Sequence, residues 1–370
     1  MTETMLAAVY YGQEDIRFER VPVPAPAPGE LLLRVGTVGV CGSDVGEWAH
    51  GPKQHPVTVA HPVTGYLGPI TPGHEFSGTV TAVGEGVDPS WIGKNVASCG
   101  SVACGACDAC LRGQSNQCRL YNGVGLHRPG ALAEYVVTPP QNCLAIDDLG
   151  ISLDEAALCQ PMSIAVHNVS RAGDVAGQTV LVQGTGGIGA FLVYALVEAG
   201  ADVVATDMDP ERLAIADDFG ARATVLVAGD EGDAERIRAA VGDRELRVVF
   251  EVSGSAAGAR MSFALAPRGC RIVLVGIQKA PVEVDLARLT LEEHILIGTN
   301  ALVREIDFAP AVALVAKRAG RWGLVAPRVV PMVGGLIEEA LIPMAEGRSK
   351  AIKTLVDPTG TAERPIRSAR

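Results

Sequence analysis

The sequence has few features that would direct it to a membrane or to nucleic acid. No uninterrupted run of eighteen apolar side chains occurs in its 370 residues, which argues against a transmembrane helix. Residues 1–20 alternate apolar and charged side chains and contain no signal-peptide core, so we expect no export. Acidic side chains outnumber basic ones, 42 to 31, which argues against a phosphate backbone as partner. We therefore expect a cytoplasmic protein that binds neither membrane nor nucleic acid.

The chain also lacks the cysteine pattern of a disulfide-stabilised protein, because nine cysteines cannot pair completely and a chain this long needs no covalent staples. Four of the nine lie within fifteen residues: Cys104, Cys107, Cys110 and Cys118. Four thiolates at this spacing are typical of a structural zinc site with every position filled. An iron–sulfur cluster and four unbound thiols are the alternatives.

Two kinds of sequence follow one another along the chain. From Met5 to about Ile146, short β-like runs are separated by Gly and Pro, which predicts an irregular β-barrel domain. From about Leu153, strands alternate with helices over short connections, which is typical of a doubly wound parallel sheet. This rhythm fades past about Thr299, and residues 348–356 are predicted to form a strand with basic side chains.

A dinucleotide motif lies in the second part. Residues 184–189, GTGGIG, fit G-x-G-x-x-G between a predicted strand and a predicted helix. Gly184 allows the tight turn, Gly186 lets the backbone approach a pyrophosphate, and Gly189 lets helix and strand pack closely. Asp207, eighteen residues past Gly189, ends the next predicted strand, where a carboxylate binds ribose hydroxyls and repels a 2′-phosphate. The sequence therefore predicts an NAD site that is formed by Gly184, Gly186, Gly187, Ile188, Gly189 and Asp207.

Two further segments identify no site by themselves, because a lone Cys or His is usually structural: Cys41-Gly42-Ser43-Asp44 and Gly73-His74-Glu75. Together with the four cysteines and the glycine motif, however, they resemble the zinc-dependent medium-chain dehydrogenase/reductase family in content and order. The resemblance covers the whole chain and is strongest to the sorbitol and 2,3-butanediol dehydrogenases. It implies an α/β protein with a GroES-like β-barrel catalytic domain (1–158 and 300–370) and a Rossmann domain (159–299).

The resemblance also implies roles for individual residues. Cys41 and His74 would bind a catalytic zinc, Glu75 would be a near ligand, Asp44 would orient His74, and Ser43 would pass on the substrate proton. Arg212 would lie over the adenosine ribose, and Lys353 would approach the pyrophosphate.

The chain departs from the family pattern at two positions. Gln160 stands where the polyol branch has Glu, so the third zinc ligand is this amide, the neighbouring Cys159, or absent. Gly46 stands where many alcohol dehydrogenases have a relay His, so His50 or solvent would take the proton.

The expected function is hydride transfer between a secondary alcohol, vicinal diol or polyol and NAD, with the matching ketone as product. Two zinc ions per chain are expected with it. A homodimer or homotetramer is expected as well, because Arg271 to Ile277 and His294 to Gly298 are apolar enough to form edge strands of the Rossmann sheet, which relatives of this type use to associate. A zinc-impaired quinone or enoyl reductase and a non-catalytic NAD-binding sensor are the alternatives.

Overall fold

The computed structural model describes residues 3–369, which form two compact units. One, the discontinuous unit, contains the chain up to Ser163 and again from Leu302; the other, the Rossmann unit, runs from Ile164 to Ala301. The junctions lie a few residues from the boundaries predicted at 158 and 300. No helix among residues 3–369 has the length and apolar character needed to cross a bilayer.

Eighteen strands occur in the described residues. They are β1 (Thr4–Gly12), β2 (Asp15–Pro22), β3 (Leu31–Gly39), β4 (Glu75–Val83), β5 (Asn95–Ser98), β6 (Ser101–Val102), β7 (Asn122–Gly123), β8 (Tyr135–Thr138), β9 (Cys143–Ala145), β10 (Thr179–Gln183), β11 (Asp202–Asp207), β12 (Ala223–Leu226), β13 (Leu246–Glu251), β14 (Arg271–Leu274), β15 (Ile295–Gly298), β16 (Arg328–Pro331), β17 (Leu355–Asp357) and β18 (Arg364–Pro365).

The helices alternate with strands mainly in the second half. They are α1 (Gly42–His50), α2 (Asp108–Leu111), α3 (Leu153–Ala156), α4 (Cys159–Ala172), α5 (Gly187–Glu198), α6 (Pro210–Asp218), α7 (Asp233–Val241), α8 (Ala256–Leu265), α9 (Leu286–Leu291), α10 (Arg304–Lys317), α11 (Met332–Gly335) and α12 (Ile342–Ala345). Single 3₁₀ turns cover Pro89–Trp91, Ser115–Gln117 and Pro140–Asn142, and a π-helical turn covers Leu336–Leu341.

The discontinuous unit is built on the antiparallel pair β3 and β4. Alternate apolar side chains of this pair, among them Leu31, Leu33, Phe76 and Val80, are buried in one core. In a strand, alternate side chains point to the same face, so a sheet buries the apolar side chains of this alternating pattern together on one face. The end of β3 faces the start of β4, with Gly39 opposite Glu75. Residues just after β3 and just before β4 are therefore brought together.

The Rossmann unit has six parallel strands in the order β12-β11-β10-β13-β14-β15. Strand order reverses between β10 and β13, and the ends of parallel strands at such a switch point form the usual ligand crevice. Buried apolar residues on these strands, such as Leu181, Val204 and Val249, hold the sheet to its helices. Gly184 follows β10, and Asp207 is the last residue of β11. Because these two strands are parallel neighbours, Gly184 and Asp207 lie at the same edge of the sheet.

Two sequence predictions are corrected here. Residues 348–354 are not a strand: the amides of Arg348 and Ser349 bond to the Pro343 carbonyl in a turn after α12, and only β17 continues the sheet. The apolar segment around β14 was predicted as a sheet edge, but β14 pairs with β13 and β15 and lies inside the sheet. Burial on both sides accounts for its apolar character.

Candidate active site

Cys41 and Asp44 are positioned by the start of α1. Cys41 is the residue before the helix, and the Asp44 carboxylate accepts a hydrogen bond from the Cys41 N–H at 2.9 Å. This reciprocal capping satisfies a helix-end donor and fixes the carboxylate direction. Asp44 is also on the buried face of α1, so its free oxygen points into the unit rather than into solvent.

The pairing of β3 with β4 brings His74 and Glu75 to Cys41. One ligand atom from each of these three residues lies within 4.8 Å of the others. His74 Nδ1 is 3.5 Å from Asp44 Oδ1, and His74 Nε2 is 3.4 Å from Ser43 Oγ. With its Nδ1–H directed at a carboxylate, the ring keeps the Nε2 lone pair for a metal ion. A thiolate, an imidazole and a carboxylate at this separation fit zinc.

The charges around His74 favour a cation at the ring. Burial lowers the pKa of His74, but Asp44 and Cys41 raise it, and the result is well above 6.5. Burial likewise raises the pKa of Asp44, but His74 and the Cys41 N–H outweigh it and the pKa stays below 3.8. The buried groups around His74 thus stabilise a positive charge at this site, and they would stabilise a bound metal ion in the same way.

Lys353 contacts this cluster, which no local sequence pattern indicated. Its ammonium is 2.8 Å from Glu75 Oε2 and donates to Glu75 Oε1 at 2.9 Å and to the Val40 carbonyl at 3.2 Å. Burial lowers the pKa of Lys353, but Glu75 and Cys41 raise it above 10.5, so the ammonium keeps its positive charge. The family resemblance places Lys353 at a pyrophosphate; that contact stays a prediction, and the partners in the structure are Glu75 and Val40.

Gln160 lies in the first turn of α4 and is 9% exposed. Its carbonyl accepts a hydrogen bond from Ser163 Oγ at 2.6 Å, while its side-chain amide has no hydrogen-bond partner among residues 3–369. Cys159 beside it is fully buried, and burial raises the pKa of its thiol. Cys159 does not belong to the group formed by Cys41, His74 and Glu75.

His50, the predicted relay residue, lies at the exposed end of α1. The structure instead buries another histidine, His55, which the sequence did not single out. The His55 ring packs edge-on against Tyr10 at 5.2 Å, and its Nδ1 is 3.1 Å from the Leu126 carbonyl. The charges of Asp44 and His74 both act on His55, so this ring lies beside the cluster.

The four cysteines of the predicted zinc loop converge. The Sγ–Sγ distances are 4.0 Å between Cys104 and Cys110, 3.6 Å between Cys107 and Cys110, 3.9 Å between Cys107 and Cys118, and 3.5 Å between Cys104 and Cys118. A tetrahedron with Zn–S bonds of about 2.3 Å has edges of about 3.8 Å. Backbone N–H groups lower the pKa of Cys104 and, to about 6, that of Cys107. The set fits a structural zinc.

The glycine motif of the Rossmann unit forms the turn between β10 and α5. Gly184 has φ +94°, and a Cβ at Gly189 would collide with the Gly184 carbonyl oxygen. Gly186 precedes the first residue of α5, and Gly187 and Ile188 form its first turn. The N–H groups at this helix start are donors for a pyrophosphate.

A cavity of about 620 Å³ extends from this turn to Asp207. Asp207 accepts hydrogen bonds from Thr185 N at 2.7 Å and Thr185 Oγ1 at 3.2 Å, which fixes its carboxylate at the cavity wall. Arg212 lines the same cavity, with Nη1 4.0 Å from Asp207 Oδ1. Phosphate donors at one end and a fixed carboxylate at the other suit a dinucleotide with free ribose hydroxyls.

Two protein families and several named dehydrogenases are similar to this chain. Residues 27–148 match the alcohol dehydrogenase GroES-like domain, and residues 187–317 match the zinc-binding dehydrogenase family. The chain is 36% identical to L-threonine 3-dehydrogenase of Chelativorans sp. (strain BNC1) over 77% of this chain and 80% of that protein. It is 31% identical to sorbitol dehydrogenase of Bombyx mori over 86% of this chain and 89% of the other. The threonine enzymes were not predicted from the motifs.

The structure of 2R,3R-butanediol dehydrogenase from Bacillus subtilis is similar over 96% of this chain and 100% of the other, with a TM-score of 0.85 and 30% identity. The predicted GroES-like and Rossmann fold class is thereby confirmed, and so is the predicted oxidoreductase activity on alcohol groups. The chain belongs to the zinc-dependent medium-chain dehydrogenase/reductase family.

Proposed function

We propose that this protein oxidises a secondary alcohol, vicinal diol or polyol to the matching ketone with NAD as hydride acceptor. The observation that carries the proposal is the buried group of Cys41, His74 and Glu75, with His74 oriented by Asp44. The Asp207-lined cavity supports NAD as the second substrate. Relatives named as sorbitol, butanediol and threonine dehydrogenases support the substrate class.

Each chain would bind two zinc ions, one structural and one catalytic. The structural ion would be held by Cys104, Cys107, Cys110 and Cys118, whose separations suit it. The catalytic ion would be held by Cys41, His74 and the Gln160 amide oxygen, with Glu75 near or on the metal. The unpartnered amide of Gln160 supports its role, and the raised pKa of Cys159 supports leaving that thiol out. Four thiolates in one loop also support a reducing location, the cytoplasm.

The residues around the catalytic metal would have different roles in the reaction. When bound, zinc supplies a Lewis acid that lowers the pKa of an alcohol, and NAD supplies the hydride acceptor. Ser43 would accept the substrate proton, since its hydroxyl lies next to the Nε2 edge of His74. Asp44 keeps the imidazole in the metal-binding tautomer, and Lys353 neutralises Glu75. His50 or solvent would take the proton onward.

The cofactor would be NAD rather than NADP. The Asp207 carboxylate is held at the cavity wall by Thr185, so it would not swing away from a 2′-phosphate. Arg212, directed at Asp207 and Asp209, would cover the adenosine ribose. Gly184, Gly186, Gly187, Ile188 and Gly189 would carry the pyrophosphate, and Lys353 would approach it.

The chain would form a homodimer or homotetramer through β15. This strand lies at the edge of the six-stranded sheet, and Ile295 and Leu296 are 52% and 43% exposed. An exposed apolar edge strand offers unpaired backbone groups to a second copy.

The experiment that tests the proposal is a screen of NAD reduction, followed by NADH absorbance, over secondary alcohols, vicinal diols, polyols and L-threonine. We expect alcohol-dependent NADH formation that chelation abolishes and added zinc restores. Activity that survives complete removal of zinc, or turnover of quinones and enoyl compounds alone, would favour the zinc-impaired reductase. NAD binding without any turnover would favour the sensor.

A further inference from the structure

A long loop of residues 51–72 connects α1 to the strand that follows His74, and it is tied down at several points. The Glu47 carboxylate accepts hydrogen bonds from Lys53 N at 2.9 Å and from Gln54 N at 2.6 Å. Further along, Thr64 Oγ1 donates to the His127 carbonyl at 3.0 Å. The loop is therefore docked on residues 123–130 and is not a free excursion.

Two histidines stack where the loop meets that segment. The rings of His61 and His127 have centroids 4.4 Å apart and planes 14° apart. Gly123 N donates to His127 Nδ1 at 3.0 Å, and Thr64 N donates to His61 Nδ1 at 3.2 Å. Because both Nδ1 atoms accept, both rings carry their proton on Nε2. The stack thus places two N–H donors side by side, and neither Nε2 has a hydrogen-bond partner among residues 3–369.

Both rings are neutral near pH 7. Burial lowers the pKa of His127, and the neighbouring His61 lowers it further, to about 4. Burial also lowers the pKa of His61. The negative charge of Glu47 acts on His127 but does not reverse this shift. The pair therefore offers donors without a positive charge, and the Glu47 carboxylate that acts on His127 disfavours an anion beside it.

The stack lies close to the metal cluster. The rings of Tyr121 and His127 meet edge-on with centroids 6.2 Å apart, and the charge of His74 acts on the Tyr121 phenol. On the same segment, a Cβ at Gly125 would collide with the backbone of Gly73, the residue before His74. The segment that carries His127 is therefore packed directly against the turn that carries the metal ligand.

We propose that the Nε2–H groups of His61 and His127 bind a second, uncharged oxygen of the substrate, a hydroxyl or carbonyl next to the carbinol that reacts. This makes the pair specificity-determining and assigns a vicinal diol, rather than a mono-alcohol or a hydroxy acid, as the preferred substrate. The assignment rests on the proposed function, since it concerns the alcohol that is oxidised. It also distinguishes between the activities of the named relatives, because threonine carries a carboxylate and a diol does not.

The test compares 2,3-butanediol with 2-butanol, which lacks only the second hydroxyl, and with L-threonine. His127→Asn keeps an acceptor for Gly123 N but removes the Nε2 donor, whereas His127→Gln keeps a donor near the Nε2 position. We expect His127→Asn to lower the ratio of kcat/KM for the diol to kcat/KM for the mono-alcohol about five- to tenfold, mainly through KM. His127→Gln should restore most of that ratio, and His61→Asn should resemble His127→Asn.

Thr64→Ala is the matched control. It removes the hydrogen bond to the His127 carbonyl and the 3.2 Å contact of Thr64 Oγ1 with His61 Nδ1, but it leaves both Nε2–H groups in place. If it lowers the ratio as much as His127→Asn does, or if His127→Asn lowers both substrates equally, the pair only anchors the loop and the assignment is wrong. A wild-type preference for 2-butanol or L-threonine over the diol also overturns it. Failure to oxidise any alcohol overturns the proposed function itself, and is recognised because it precedes any comparison of variants.

Discussion

At the scale of single residues, the Glu75 carboxylate can pair with either of two cations, the Lys353 ammonium or a bound metal ion. Its carboxylate is fully buried and paired with Lys353, yet it also lies within 4.8 Å of the ligand atoms of Cys41 and His74. A buried carboxylate needs a cation, and removing one member of a buried pair typically costs about 3–5 kcal/mol. Either Lys353 or a metal ion can meet that need, so the pair allows Glu75 to remain charged whether or not it binds the metal.

Gln160 provides the first prediction at this scale. An amide oxygen is a weaker, uncharged ligand, so Gln160→Glu adds an anion and should slow zinc loss to a chelator roughly tenfold. It should also raise the kinetic pKa for alcohol oxidation, because the metal retains less positive charge. Zinc release followed with a chromogenic chelator measures the first effect, and a pH profile of kcat measures the second.

Cys159→Ala is the control for that measurement, since the buried thiol should not hold zinc. If Cys159→Ala loses the catalytic zinc while Gln160→Ala keeps it, the thiolate is the ligand.

Asp207 provides the second residue-scale prediction. A 2′-phosphate beside its carboxylate should cost about 1–3 kcal/mol, so kcat/KM should favour NAD over NADP by several-fold to a hundredfold. Asp207→Ser should narrow that ratio. Asp209→Ser, which removes a carboxylate near Arg212 but retains an N-cap side chain for α6, should leave the ratio largely unchanged. Equal efficiency of wild type with both cofactors would contradict the prediction.

At the scale of elements, the cysteine loop has little structure to hold it apart from its thiolates. Its only helix in the described residues, α2, has four residues, and its buried cluster is small. Structural zinc supplies folding free energy of several kcal/mol in such loops. Cys107→Ser should therefore lose one zinc per chain and lower the thermal midpoint. Cys143→Ser, outside the loop, should keep both ions, and a Cys107→Ser protein that is equally stable with two zinc ions would refute the structural role.

The docked loop of residues 51–72 should be sensitive to acid. The pKa of His127 is about 4 in the folded chain against 6.5 for free histidine, so between these values the unfolded chain binds more protons. The contribution of neutral His127 to the free energy of unfolding is therefore fully present above pH 6.5. It falls by about 1–2 kcal/mol as the pH drops toward 4, since the ring is partly exposed. Besides His61, the groups facing His127 are His55, Glu47 and Tyr121.

His127→Asn removes that titration, so its thermal midpoint should fall less between pH 7 and pH 4.5 than that of the wild type. Both proteins are measured with zinc bound. Equal falls would show that His127 does not couple folding to pH.

Elements that depend on local pattern were predicted well from the sequence. The turn at Gly184, the helix after it and the strand ending at Asp207 follow from glycine positions and apolar runs a few residues long. The loop of residues 51–72 has no such periodicity, and its docking depends on contacts with residues more than sixty positions away, such as Thr64 with His127. The His61 and His127 stack was therefore not predicted.

At the scale of the whole molecule, what the sequence could not predict is which distant segments meet. Motif order led to Cys41 and His74, but the contact of Lys353 with Glu75 spans 278 positions. The sheet explains it: β17, which follows Lys353, pairs with β3, and β3 pairs with β4, which begins at Glu75. Only the strand order brings the C-terminal segment to the metal cluster, and neither segment carries a signal for the other.

Association of two copies is the prediction that belongs to the whole molecule. The sheet of the Rossmann unit has two edges, β12 and β15, and both present an exposed leucine: Leu226 is 52% and Leu296 is 43% exposed. The helix that precedes β15 in the chain, α9, exposes two further apolar side chains, Leu286 and Leu291. Apolar area next to unpaired strand groups favours pairing with a second copy there.

Leu296→Glu should therefore reduce the mass in solution, measured by light scattering at micromolar concentration, from a multiple of 38.4 kDa toward a single chain. Leu226→Glu places the same charge on the other edge and should leave the mass unchanged. Each variant adds a carboxylate at a half-exposed strand position, so the cost to the monomer's own stability is similar for the two. A wild-type protein that scatters as a monomer would contradict the prediction outright. If Leu226→Glu dissociates the protein instead, the interface is at the other edge of the sheet, and a second copy covers β12 rather than β15.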